Sequence, residues 1–405
     1  MVNIAVLGYG TVGSGVAEVI RTNQDSINKK AGNEINIKYV LDLREFPGDP
    51  VQDVLVHDFD IILNDPEVKI VVEVMGGVEP AYTFVKKSLL AGKSVCTSNK
   101  ELVAKHGPEL LQIARDENIN FLFEASVGGG IPIIRPLNSS LTADEIREIT
   151  GILNGTTNYI MSKMSDEGWE FEDALKKAQE LGYAERNPEA DVEGYDACRK
   201  IAILSSLAFG NHVDFEDIYT EGITKITAKD IAYAKKLDRA VKLLASSKRE
   251  GDNFYAMVAP FLIPKSHPLF SVNGVFNAIF VNGNVLGDVM FYGSGAGKLP
   301  TASAVVSDVV DATKHLNKNI MSFWSSRKLE LTSVENAVRS FFVRIGGTPD
   351  ERLSEIEGIF GKVEMVVLDG ESSEFGFVTE KMSEKAFAQA AEKLDGLIGR
   401  IRLEG

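Results

Sequence analysis

The stretch Val2–Ile20, "VNIAVLGYGTVGSGVAEVI", reads as a short apolar strand, a turn built on glycines and the start of an amphipathic helix. Gly8, Gly10 and Gly13 set the spacing G-x-G-x-x-G. In such a turn the first glycine permits the tight bend and the second lets backbone approach a pyrophosphate. The third allows the helix to pack close to the strand. Strand before and helix after is the context that gives the motif its meaning, so a dinucleotide is expected on Gly8, Gly10, Thr11, Val12 and Gly13.

Working outward, strand candidates follow at 37–43, 69–75, 93–99 and 119–126, with helical stretches such as 80–92 and 106–118 between them. This alternation predicts a parallel sheet with crossover helices, an α/β Rossmann unit over residues 1–135. At the end of the second strand, Asp42 is placed to bond a ribose 2′-hydroxyl, favouring NAD. Arg44 is placed to pair with a 2′-phosphate, favouring NADP. The segment 23–35 stretches the usual spacing without settling the choice; the balance leans to NADP, with use of both open.

After Asn138 the texture changes. Helices alternate with strand candidates at 148–155, 254–263 and 276–283, predicting an α+β unit over 136–333. The run 297–316 reads as one long helix, with about 299–317 expected to pack back on the nucleotide unit. Residues 337–405 follow the order βαββαβ, a ferredoxin-like topology.

A chain of 405 residues exceeds one ordinary core, in line with this division. The formal net charge of -15 argues against nucleic acid or an anionic membrane as partner. Glycine-rich backbone can still cradle a phosphate without net positive charge. No apolar run approaches the roughly 20 residues of a membrane span. The N-terminal stretch lacks a basic region and a cleavage pattern, so a cytoplasmic protein is expected. Cys96 and Cys198 show no metal or disulfide spacing. A thiol nucleophile forming a thioester is the alternative use, but no histidine is near either in sequence and both read as packing residues.

Candidate chemistry comes from three segments. Ser98 and Lys100 follow the strand "KSVC", at the carboxyl end where open α/β sheets bind ligands. Residues 181–200 supply Glu185, Asp196 and Lys200, the last two sharing one face of a helix whose continuation is almost uncharged. "GILNGTTNYI" (151–160) supplies Asn154, Thr156, Thr157 and Asn158, small polar groups suited to a carboxylate or carbonyl.

The segments TSNKELVAKHG (97–107), EASVGGGIPIIRPL (124–137), GILNGTTNYIMSKM (151–164), AQELGYAERNPEADVEGYDACRKIAIL (178–204) and YGSGAGKLPTASAVVSDVV (292–310) resemble homoserine dehydrogenase. The resemblance covers most of residues 1–320, in the family's order. It implies reversible NAD(P)H-dependent reduction of aspartate 4-semialdehyde to homoserine, on the branch leading to threonine and methionine. It implies that the α+β unit over 136–333 is the catalytic and dimerisation unit. It implies Lys200 and Lys100 as catalytic lysines, with Lys200 the general acid and Lys100 bridging cofactor and substrate. Glu185 and Asp196 would bind substrate, joined by Asn154 and Thr156, and Asp196 would also orient Lys200. Gly182, Gly295 and Gly297 would be further cofactor contacts. Backbone carbonyls of Glu124, Val127, Gly129 and Ile131 would hold sodium, and the assembly would be a homodimer or homotetramer.

The C-terminal unit resembles an ACT domain, which in this family senses an amino acid. The chain departs from that domain's Asp-x-Pro-Gly-type loop, carrying GGTPDERL (346–353), so effector binding stays open. A desolvated lysine is expected to have its pKa lowered toward the working range. Two other readings remain: a dehydrogenase of the same cofactor fold acting on another small aldehyde, alcohol or sugar, and a non-catalytic sensor of dinucleotide and amino acid.

Overall fold

The computed structural model describes residues 1–321 and 324–404. Six parallel strands form the first sheet: β1 (Val2–Leu7), β2 (Ile35–Leu41), β3 (Leu55–Val56), β4 (Val68–Glu73), β5 (Ser94–Thr97) and β6 (Phe121–Leu122). Their order is β3-β2-β1-β4-β5-β6, so the winding reverses between β1 and β4, where doubly wound sheets bind ligands. The crossovers carry α1 (Thr11–Thr22), α2 (Gln24–Ala31), α3 (Phe59–Asn64), α4 (Ala81–Leu90) and α5 (Lys100–Asp116).

Three local expectations differ. The segment 23–35 is not an open insertion but contains α2, which buries Ile27 and Ala31. The strand at 119–126 shortens to Phe121–Leu122, because the chain turns into a 3₁₀ segment at Glu124–Ser126. The strand candidate at 93–99 ends at Thr97, because Asn99 caps α5, whose first residue is Lys100; the Asn99 Oδ1 accepts the Leu102 N–H at 3.1 Å.

Beyond the first sheet come β7 (Ile146–Ile152), α6 (Gly155–Glu167), α7 (Phe171–Glu180), α8 (Glu189–Val192), α9 (Tyr195–Phe209), α10 (Ala228–Lys236) and α11 (Lys298–Lys314). α11 packs on α1, placing Ala302, Val305 and Val309 in one apolar cluster with Val16 and Ile20. Gly15 permits that approach, since a Cβ there would sit 2.8 Å from the Lys298 carbonyl.

Among the described residues the second sheet has ten strands, one of them the two-residue Tyr219–Thr220, which pairs with Asn253–Pro264 off the main path. It runs from the edge strand Gly287–Ser294 through Phe276–Gly283, β7, Arg239–Glu250 and Asn253–Pro264. It continues through Leu397–Leu403, Phe341–Gly346, Glu374–Thr379 and Val363–Val366. The strands at 239–250 and 287–294 were not anticipated. "RAVKLLASSKRE" is rich in helix formers, but β7 and an unbroken antiparallel hairpin with 253–264 hold it extended from both sides.

The last residues keep the βαββαβ order, with α12 (Pro349–Phe360) and α13 (Glu384–Ala391) as the helices. The fourth strand lies beside the first, followed by the third and then the second. α13 ends at Ala391, earlier than the helical pattern to 399 suggests. The unit also continues the larger sheet, through parallel pairing of Phe261 with Arg402 and Leu262 with Leu403.

A buried ion cluster reinforces that seam. Arg344 reaches Asp230 of α10 at 2.9 Å and Glu374 at 2.8 Å, with all three side chains nearly sealed from water. Arg344→Ala would leave buried Asp230 without this cation and Glu374 with Lys229, half-exposed and 3.4 Å away, so a loss of about 3–5 kcal/mol is expected in urea unfolding. An unchanged midpoint would mean that the cluster adds nothing to the seam.

Candidate active site

The glycine turn meets its geometric demands. Gly8 has φ +94°, and a Cβ on Gly13 would lie 2.0 Å from the Gly8 carbonyl oxygen, so α1 packs against the turn. Gly10 caps α1 and faces open space, with no side chain among the described residues bonded to the helix's first N–H groups. Those N–H groups and the helix dipole suit a pyrophosphate. A cleft of about 510 Å³ opens there, lined by Gly8, Gly10, Asp42, Arg44, His57 and Met75 among others. Thr11 and Val12 follow as the first residues of α1.

Asp42 accepts the Tyr9 N–H at 2.8 Å and pairs with Arg44 through two bonds of 3.0 and 2.9 Å. The Arg44 guanidinium holds the Asp42 carboxyl well below its usual range, helped by the Tyr9 and Arg44 N–H groups, against some desolvation. Arg44 itself stays largely exposed beside the cleft.

The charged helix α9 brings Asp196 and Lys200 together at 2.6 Å, nearly buried. Asp196 also pairs with Lys100 of α5 at 2.9 Å, an ion pair between the Rossmann unit and the catalytic unit. Lys200 donates a second bond to the Leu153 carbonyl at 2.8 Å, leaving its third N–H without a partner among the described residues. Asn154 caps α6 and donates its amide to Asp196 at 2.9 Å and Asp191 at 2.7 Å. Burial works against the Asp196 carboxylate, but Lys200 and Lys100 together hold its pKa well below the usual range. Asp191 goes the other way: desolvation, then the Asp196 charge, push it up.

Lys100 departs from the expected lowered lysine. Burial does oppose its charge, but the Asp196 carboxylate outweighs it and the ammonium is raised.

Several expected residues stand elsewhere. Glu185 is exposed on the loop after α7 and makes no side-chain bond to the cluster among the described residues. Gly182, with φ +75°, lies exposed in the same loop. Thr156 is tied to the Tyr183 carbonyl, and Thr157 closes the Asn154 cap. Asn158 points away, donating to the Val272 and Phe276 carbonyls, because its position on α6 faces the sheet side. Of the four polar residues only Asn154 reaches the ion pairs. Asp191 was missed; five residues before Asp196, nothing in its spacing marked it out.

Two curated family descriptions match this arrangement in order: "Homoserine dehydrogenase, NAD binding domain" over residues 8–124 and "Homoserine dehydrogenase" over 132–310. A Synechocystis homoserine dehydrogenase is 42% identical over 90% of this chain and 86% of its own. The chain belongs to the homoserine dehydrogenase family. A homoserine dehydrogenase structure from Thiobacillus denitrificans, 37% identical, superposes with a TM-score of 0.91 over 100% of this chain and 98% of that one. A hyperthermophilic archaeal homoserine dehydrogenase in complex with NADPH, 31% identical, gives 0.66 over 77% of this chain and 97% of that one.

In this family member the glycine loops 128–130 and 295–297 meet directly: a Cβ on Gly129 would lie 2.4 Å from the Gly295 oxygen. Gly295 is further confined by Asn277, and Gly297, with φ +122°, caps α11. The carbonyls of Glu124, Val127, Gly129 and Ile131 accept no hydrogen bond among the described residues, although all four residues are buried. The Glu124 carboxylate is engaged instead by the N–H groups of Ile133, Ile134 and Arg135. Burial pushes both cysteine thiols up, which works against the nucleophilic thiolate that a thioester route needs.

Proposed function

We propose that the chain is a homoserine dehydrogenase, which reduces the aldehyde of aspartate 4-semialdehyde to homoserine, and the reverse, with NAD(P)H. The observation that carries this reading is one carboxylate, Asp196, holding the ammonium groups of Lys100 and Lys200 that arrive from two units. The dinucleotide, when bound at the glycine turn, supplies the hydride to the aldehyde carbon. Lys200 directs its free N–H to the oxygen and gives up the proton as the alkoxide develops. Lys100 bridges the cofactor side and the substrate side, with Ser98 beside it. Asp196 binds substrate and orients both lysines; Asn154 and Asp191 line the pocket for a zwitterion, and Thr156, bonded to the Tyr183 carbonyl, tethers the exposed loop from which Glu185 would turn to the substrate. Gly182, Gly295 and Gly297 close on the cofactor.

The activity test is initial-rate absorbance of the reduced nicotinamide with L-homoserine, beside a panel of small alcohols and sugars. Turnover on another substrate alone would overturn the assignment. Arg44 already neutralises Asp42, which favours NADP. Arg44→Ala is expected to weaken NADP at least about tenfold while sparing NAD, an effect of losing one charge-assisted phosphate contact. Equal loss for both dinucleotides would count against that preference.

The domain division is 1–135, 136–333 and 337–405, with the helix at about 299–317 serving the nucleotide domain. The four orphan carbonyls suit a monovalent cation such as sodium, testable by stability against added sodium or a bulkier cation. The edge strand Gly287–Ser294 exposes Met290 and Tyr292, with Phe276 stacked on Tyr292, a face suited to a second copy. Mass measurement in solution tests the dimer or tetramer. The strand order of the last unit supports an ACT-like domain; a thermal shift with added amino acids tests for an effector there. Two unpaired cysteines accord with a cytoplasmic location.

A further inference from the structure

Glu73 is the last residue of β4, flanked in the sheet by Leu7 of β1 and Thr97 of β5. That is where the winding reverses, and yet its carboxylate is fully buried, at 0% exposure. A carboxylate in that position is costly unless its oxygens are well bonded. Oε2 accepts the Thr97 hydroxyl at 2.6 Å and Oε1 accepts the Met75 N–H at 2.8 Å. The Thr97 oxygen in turn accepts the Asn99 N–H at 2.9 Å. Asn99 donates its amide to the Gly77 carbonyl and caps α5 through the Leu102 N–H. The bonds close a ring, from Glu73 through the turn Met75–Gly77 to Asn99, and back through Thr97.

We propose that Glu73 is a positioning residue for Lys100: its carboxylate locks the turn after β4 to the turn after β5. In doing so it sets the entry of α5 and aims Lys100 at Asp196. The inference rests on the role given to Lys100 above. No single-acceptor side chain replaces the carboxylate, because both oxygens face donors. Glutamine, of equal shape, keeps one acceptor for the Met75 N–H but turns its NH₂ on the Thr97 oxygen, which takes it only by withdrawing its own hydroxyl proton while already holding the Asn99 N–H. Burial pushes the Glu73 carboxyl up, so the ring holds an acceptor that water does not help. In sequence the residue is one acid inside "KIVVEVM", and nothing there distinguishes it from a strand-end surface carboxylate.

The experiment compares Glu73→Gln, Thr97→Val, Thr97→Ser and Lys100→Ala. It reads kcat, the KM for homoserine, and acylation of Lys100 by acetic anhydride measured by peptide mass. Expected for Glu73→Gln and Thr97→Val is a kcat loss of about 10- to 100-fold, the scale of a misplaced catalytic group, with KM little changed. Lys100 should acylate faster in both variants, Lys200 should not, and Thr97→Ser should behave as wild type. If Glu73→Gln does not fold, Thr97→Val carries the same reading. Near-wild-type kcat in a folded variant overturns the proposal, as does a kcat loss without faster Lys100 acylation. Lys100→Ala with full activity overturns the role of Lys100 and this proposal with it; an inactive Lys100→Ala beside a normal Glu73→Gln overturns this proposal alone.

Discussion

Lys200→Ala is expected to lower kcat by about 10²–10⁴-fold, the usual contribution of a positioned general acid. Dinucleotide affinity should be retained, since the glycine turn and the cleft at Asp42 do not involve α9. Lys200 is held by Asp196 at 2.6 Å and the Leu153 carbonyl at 2.8 Å, which leaves one N–H to meet a developing alkoxide. Removal also leaves Asp196 with Lys100 as its one remaining cation, so folding should weaken less than in a variant that strands a charge. The measurement is the rate of nicotinamide reduction with homoserine, set against dinucleotide titration by fluorescence. A variant that turns over normally would leave the enzyme reading intact and remove Lys200 as the acid.

Asp196→Asn should be more disruptive to the fold and comparably damaging to turnover. It leaves two ammonium groups facing each other across an amide, without the carboxylate that now neutralises them. Breaking a buried pair from one side typically costs about 3–5 kcal/mol. Its pH dependence has a definite sign. Asp196 has its pKa depressed in the folded state, so its stabilisation is full above the unfolded carboxylate value of about 3.9 and is lost as pH falls through the folded value. Lys100 is raised, so its share is full below the unfolded lysine value of about 10.4 and is lost as pH rises through the folded value. Wild type and variant should therefore differ by a constant amount near neutrality, and the difference should shrink in acid. Urea unfolding across the acid range measures it. A difference that grows on acidification would show that the carboxylate is not the stabilising partner.

What could be read in advance depended on whether neighbours in sequence were also partners in space. Gly8 and Gly13 meet within a single turn that Gly10 leaves open, so their spacing was enough. Asp196 and Lys200 lie one helical turn apart, and they pair as the spacing indicates. The strand at 239–250 was illegible because its own residues favour helix and its two neighbouring strands overrule them. Asn158 and Asn154 share a segment and a chemistry, yet the helix turns one toward Asp196 and the other toward the Val272 carbonyl.

By itself the sequence determined the nucleotide-binding unit, the βαββαβ tail, the acid–lysine pair on α9 and the family. The first three rest on local periodicity, turn chemistry and helical spacing, which operate over a few residues; the family rests on the resemblance of the motif segments. Only the tertiary structure decided that Lys100 shares Asp196 with Lys200, that Asp191 joins them through Asn154, and that Glu185 stays at the exposed loop. It alone decided that Glu73 closes a buried ring at the switch between β1 and β4. The Lys100–Asp196 pair, the Asn154–Asp191 bond and the Glu73 ring each join groups brought together by sheet pairing and helix packing across long separations, which no local pattern of residues records.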